Sequence, residues 1–127
     1  MTHKVLIVDD SKLARMAVLK ALNALHPDWT RVEASNAVEA LEHLQQETVD
    51  FVVLDYNMPG KDGLMLATEL RETHPNIRVA VISANRQVEV IERAQAAGAT
   101  FLPKPLTAKA LGDFLDSALA RSQGAAQ

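Results

Sequence analysis

Two adjacent carboxylates, Asp9 and Asp10, a third, Asp55, a hydroxyl, Ser83, and an ammonium, Lys104, each stand at the end of a short apolar run. Brought together, three acids repel one another, and one takes up a proton or the site loses stability unless something positive intervenes. A divalent cation resolves that conflict. Oxygen-only donors, here carboxylates with a backbone carbonyl near Asn57, favour a hard ion such as Mg²⁺, which keeps water in much of its octahedral shell. The charges then balance, three carboxylates against one Mg²⁺ and the Lys104 ammonium. Such a crevice attracts a phosphoryl group, whose oxygens Lys104, the Ser83 hydroxyl and backbone N–H groups can bind. Asp55 is then the attacking carboxylate, as in aspartyl-phosphate chemistry.

The elements that must position these groups are legible as apolar runs. VLIV (Val5 to Val8), FVVL (Phe51 to Leu54), VAVI (Val79 to Ile82) and FLP (Phe101 to Pro103) read as strands. Continuous β-branched runs, unlike alternating ones, suit a parallel sheet covered on both faces. A weaker strand is expected at Thr30 to Ala34. Between the strands, Ala14, Ala17, Val18, Ala21, Leu22 and Leu25 form one helical stripe, and further helices are expected at Val38 to Gln46, Gly63 to Thr73, Val88 to Ala97 and Ala108 to Ala120. His26-Pro27, His74-Pro75 and Gly98 stop the helices they follow. The order is βα repeated five times, an open α/β sheet with right-handed crossovers whose ligands sit beyond the carboxyl ends of the strands. Asp55 therefore leaves the core to meet metal and phosphate, and Met58-Pro59-Gly60 turns the chain behind it.

With 127 residues, 48% hydrophobic and 23% charged, the chain suits one domain, expected over residues 1–121, with 122–127 as a flexible tail. Thirteen Lys and Arg against sixteen Asp and Glu, a net charge of -3, speak against nucleic acid as a direct ligand. No apolar run approaches the roughly 20 residues of a membrane span, and Met1 to Asp10 lacks the pattern of a secretory signal, so a cytoplasmic location is expected. Without cysteine there is no disulfide, thiolate nucleophile or Cys-based zinc site. His3, His26, His43 and His74 share no metal-ligand spacing, and Arg15, Arg71 and Arg93 read as solvated surface.

Each of these residues also has an ordinary reading. A lone Asp55 would be a loop cap and a lone Lys104 a surface charge. Ser83 would be a loop hydroxyl, and Asn57 and Asn85 turn formers. The joint placement at strand ends, rather than residue type, favours the phosphoryl site.

KVLIVDDS, LDYNMPGKDG, VISA and FLPKP, in this order and spacing, resemble the receiver domain of two-component response regulators over nearly the whole chain. The resemblance implies a five-stranded parallel sheet of order 2-1-3-4-5 with helices on both faces, the flavodoxin-like, CheY-like (βα)5 fold. It also implies that Asp55 accepts phosphate from a phosphohistidine of a partner histidine kinase or phosphotransfer protein. Mg²⁺ would be held by Asp10, Asp55 and the Asn57 carbonyl, with Asp9 acting mainly through metal-bound water. Ser83 would swing to the phosphoryl group, Lys104 would pair with it, and the Lys104–Pro105 bond would be cis. Ala84 would leave the phosphate accessible, and Asn57 and Asn85 would tune the water attack that removes it. Phe101 matches the family's switch aromatic and reads equally well as a core filler.

The function expected on this resemblance is a phosphorylation-controlled switch, not a turnover enzyme, that catalyses only its own phosphotransfer and slow dephosphorylation. No helix-turn-helix or catalytic domain follows Ala120, so a stand-alone receiver, or the receiver part of a longer regulator, is expected. The output surface would be the fourth helix, fifth strand and fifth helix, near Gln95, Phe101 and Lys109. Two rivals stand beside it: a constitutive interaction module, and a Mg²⁺-dependent phosphohydrolase, for which Asp-Tyr-Asn lacks the second acid needed as general acid.

Overall fold

The computed structural model describes residues 3–57, 63–85 and 87–125. Its elements alternate throughout: β1 (Lys4–Val8), α1 (Lys12–Leu25), β2 (Thr30–Ala34), α2 (Ala37–Gln46), β3 (Phe51–Asp55), α3 (Gly63–Thr73), β4 (Arg78–Ser83), α4 (Val88–Ala96), β5 (Ala99–Pro103) and α5 (Ala108–Ala125). All strand pairs are parallel and the sheet order is β2-β1-β3-β4-β5, as expected.

Successive side chains of a strand point to opposite faces, so each apolar run feeds two cores at once. Val5, Ile7, Phe51, Val53, Ala80 and Ile82 pack with Val18 and Leu22 of α1 and Leu111, Phe114 and Leu115 of α5. Leu6, Val8, Val52, Leu54, Val79 and Val81 pack on the other side with Ala40 and Leu44 of α2, Leu66 and Leu70 of α3 and Ala94 of α4. Both faces are dry, which is why the runs do not alternate. The edge strand β2 is the exception: Thr30 and Glu33 are exposed, and its signal in the sequence is correspondingly weak.

Helix ends follow local chemistry. The Ser11 hydroxyl accepts from Ala14 N at 3.2 Å and starts α1. Asn36 accepts from Glu39 N at 2.9 Å, while Glu39 Oε1 accepts from Ser35 N and Oγ, a reciprocal cap that holds α2. Those hydrogen bonds hold the Glu39 carboxyl below its ordinary pKa. At the end of α4, Gly98 takes φ +81°, a left-handed conformation that a side chain resists. Near the amino ends of the strands Trp29 lies between His26, stacked at 3.7 Å, and Phe51, stacked at 5.6 Å.

Most elements differ from expectation by a residue or two at a boundary, and the largest shift is at the end of α5. Helical backbone of α5 continues past Ala120 to Ala125, through residues read from the sequence as tail. Ser122, Gln123 and the alanines tolerate helix, and no proline stops it. The expected Met58-Pro59-Gly60 turn lies outside the described residues. Among the described residues no helix is long and apolar enough to cross a membrane.

Candidate functional site

Strand register assembles the site. Val8 lies opposite Leu54, so Asp9 and Asp55 leave β1 and β3 side by side. Asp55 lies opposite Ile82, and Ser83 opposite Pro103, which places Lys104 one step beyond. Asp9 N donates to Ala34 O at 3.1 Å and Lys104 N to Ser83 O at 3.0 Å, extending the sheet pairing into the crevice.

Asp9 and Asp55 are each only 5% exposed, whereas Asp10 faces solvent. Carboxylate oxygens of all three lie within 4.8 Å of one another. Burial, above all, raises the Asp9 pKa. The Ser11 N–H, 2.9 Å from Asp9 Oδ1, opposes the rise; the negative charge of Asp55 adds to it, Lys104 lowers it, and Asp10 adds a little more. Lys104 Nζ stands 2.9 Å from Asp55 Oδ1. Yet that buried oxygen receives no aligned hydrogen bond among the described residues. Proximity and alignment thus disagree, and the contact is best taken as charge attraction that leaves lone-pair capacity on Asp55 unused. An acid cluster with an unsatisfied inward oxygen and no nitrogen or sulfur donor fits a hard, oxygen-seeking divalent ion. One ammonium cannot neutralise three carboxylates; such an ion would.

The remaining expected residues fall around this cluster. The Ser83 hydroxyl, 1% exposed, accepts from Asn85 N at 3.0 Å, and Asn85 Oδ1 accepts from Gln87 N at 3.0 Å, so Asn85 shapes the entry to α4. Ala84 is exposed beside Ser83, and Asn57 is exposed two residues past Asp55. The Lys104–Pro105 peptide is cis. Phe101 is half-buried: it packs against the core beneath α4 and also lines an open pocket of about 430 Å³ with Ile91 and Gln95. Both readings of this aromatic are compatible with that position.

Two contributors escaped the sequence reading. Arg15, taken there as solvated surface, has a side chain only 15% exposed. Its Nη1 donates to the Asp9 carbonyl, and its Nε donates to Glu33 Oε1 at 3.0 Å. It clamps the backbone of β1 where the acid pair begins. An arginine on an amphipathic helix carries no sequence mark of such a contact. The second is Gly63: a Cβ there would lie 2.2 Å from the Asp55 carbonyl oxygen and 2.8 Å from Leu54 Cδ1. Its N–H donates to Tyr56 O at 3.1 Å, which brings the start of α3 against the end of β3. Glycine opening a helix, where it is a poor former, was the available signal.

Comparison with known proteins agrees with this architecture. Chemotaxis protein CheY-3 of Vibrio cholerae is 37% identical over 121 residues, 93% of this chain and 92% of that protein. Chemotaxis protein CheY of Bacillus subtilis is 30% identical over 120 residues, 94% of this chain and 99% of that one. The solved structure of Vibrio cholerae chemotaxis protein CheY4 matches with a TM-score of 0.82 at 26% identity, covering 93% of this chain and 99% of that one. A family model described as the response regulator receiver domain matches residues 5–116, and the chain therefore belongs to the receiver-domain family of two-component signalling.

Proposed function

We propose that Asp55 is the phosphoacceptor of a phosphorelay and that its modification switches a partner-binding surface. The observation that carries this reading is the buried Asp55 Oδ1, beside an ammonium at 2.9 Å and lacking an aligned hydrogen bond among the described residues. A carboxylate so held is poised for attack rather than tied into structure.

In the proposed reaction an Asp55 oxygen attacks the phosphorus of a phosphohistidine on a partner histidine kinase or phosphotransfer protein. The P–N bond breaks, the imidazole leaves with the electron pair, and an acyl phosphate remains on Asp55. Lys104 follows the negative charge onto the phosphoryl oxygens, and Ser83 exchanges its bond from Asn85 N for a bond donated to one of them. Asp10, Asp55 and the Asn57 carbonyl would hold Mg²⁺, with Asp9 acting through its water. When bound, the ion supplies charge neutralisation for the transferring oxygens. Water attack later restores the carboxylate and releases phosphate, with Asn57 and Asn85 placed to tune its approach. This is self-directed chemistry without turnover of a substrate.

Phosphorylation replaces the single charge of the Asp55 carboxylate with the roughly two of an acyl phosphate, a net gain of about one negative charge now carried on the phosphoryl oxygens, and the population of an active conformer rises in response. Phe101 borders α4 and the pocket beside Gln95, so a change at Ser83 can be read on the surface of α4, β5 and α5, which also carries Lys109. A downstream protein is the proposed reader.

The test is incubation with acetyl phosphate and Mg²⁺, followed by intact mass. Wild type should gain one phosphoryl group and lose it slowly, while Asp55→Asn gains none. Phosphorylation of the Asp55→Asn variant to the wild-type extent would overturn the assignment.

A further inference from the structure

A second charged site lies at the opposite end of the sheet. β4 ends at Ser83 in the acid crevice and begins at Arg78, where a separate pocket of about 190 Å³ opens between α3, β4 and β5. Its lining includes Arg71, Pro75, Ile77, Arg78, Gly98 and Thr100, and no carboxylate. Neither arginine forms an ion pair among the described residues, in a chain whose net charge is -3. A hollow lined by two arginines and no acid carries uncompensated positive charge, which favours an anion there.

Two details sharpen the case. Arg78 Nε is buried and has no hydrogen-bond acceptor among the described residues. A buried donor without a partner is rare in folded proteins, and it shows that nothing inside the fold compensates Arg78, whose remaining donors belong to a residue that lines the pocket. Arg71 donates Nη1 to Ala96 O at 2.7 Å, and its Cδ lies 2.8 Å from where a Cβ on Gly98 would be. That contact satisfies the carbonyl at the end of α4 and uses one of the five donors on the guanidinium, leaving the others for a ligand.

We propose that this pocket binds a tetrahedral oxyanion of two negative charges, either free phosphate or the phosphate group of a small monoester. A planar carboxylate saturates one guanidinium fork, whereas a phosphate has oxygens enough to engage two forks reaching it from different elements. The volume lies below the ~300 to 1,000 Å³ typical of sites for drug-sized ligands, so a phosphate with a short stem fits and a larger ligand does not.

The experiment titrates the isotope-labelled full chain with inorganic phosphate, in EDTA and at constant ionic strength, and follows amide resonances. Saturable shifts at Gly98 and Thr100, with Ser83 and Lys104 unmoved, are expected. Acetate should bind at least about tenfold more weakly, and Arg78→Gln should weaken phosphate by about tenfold or more. Arg78→Lys, which keeps the charge without the fork, should fall between and guards against a misfolded Gln variant. Methyl phosphate matching phosphate assigns the site to monoesters, and its failure to bind assigns it to the free ion. Shifts that never saturate, that centre on Ser83 and Lys104, that acetate reproduces, or that persist unchanged in both Arg78 variants overturn the proposal.

Discussion

Replacing Asp9 by Asn should stabilise the metal-free protein while weakening its response to Mg²⁺. Asp9 is 5% exposed and its carboxylate oxygens come within 4.8 Å of those of Asp10 and Asp55. Two unit charges at that spacing repel by about 3.5 kcal/mol at an effective dielectric constant of ~20. Lys104 offsets part of this, and water around exposed Asp10 screens more, so a net gain of about 1 to 2 kcal/mol is expected at neutral pH. For a domain of this size that is roughly 4 to 8 °C in Tm. Asn retains an oxygen to accept the Ser11 N–H, so the loop geometry should survive. The pH dependence has a definite sign. Because Asp9 binds its proton more tightly folded than unfolded, ionising it disfavours the fold above its raised pKa. The advantage of the variant should therefore shrink as pH falls through that raised value towards the ordinary 3.8. With Mg²⁺ at about ten times its Kd, wild type should gain about 1.4 kcal/mol and the variant far less. Thermal melts in EDTA and in Mg²⁺ at two pH values measure all of this. A variant less stable than wild type in EDTA, or equally stabilised by Mg²⁺, would refute the electrostatic account.

Lys104→Ala removes the only cation in contact with Asp55 among the described residues; loss of about 1 kcal/mol in EDTA is expected, since the ammonium is partly solvated. Urea denaturation measures that loss, and the acetyl phosphate assay should show a lower yield of phosphorylated protein. Gly63→Ala should cost about 1 to 3 kcal/mol by forcing α3 away from the Asp55 carbonyl. Phosphorylation of Asp55 should slow with it, whereas a fully stable, fully active variant would show that the close approach is dispensable.

The strands were legible because both faces of the sheet are dry, so Phe51 to Leu54 and Val79 to Ile82 stand out from amphipathic neighbours as unbroken runs. The crevice was legible for a related reason: an acid ending such a run must leave the core at a strand's carboxyl end. What stayed hidden depends on contacts distant in sequence. Arg15 reaches the Asp9 carbonyl only because α1 folds back beside β1, and no local pattern announces that. Arg71 and Arg78 converge through the crossover from α3 to β4 and the return of β5. The end of α5 was placed too early because its last residues lack an apolar stripe to mark a helix.

The splitting of β3 between two cores has a consequence for how the chain finds its fold. A strand that is oily on both sides cannot use polarity to choose its alignment, since slipping by one residue merely exchanges one greasy layer for the other. The alignment is marked instead where the oil stops, at Asp55, whose carboxylate belongs beside the other acids and Lys104 at the strand ends rather than in either greasy layer. The same side chain thus marks the register of β3 as well as lining the crevice, and an apolar residue in its place would disturb strand alignment together with the site.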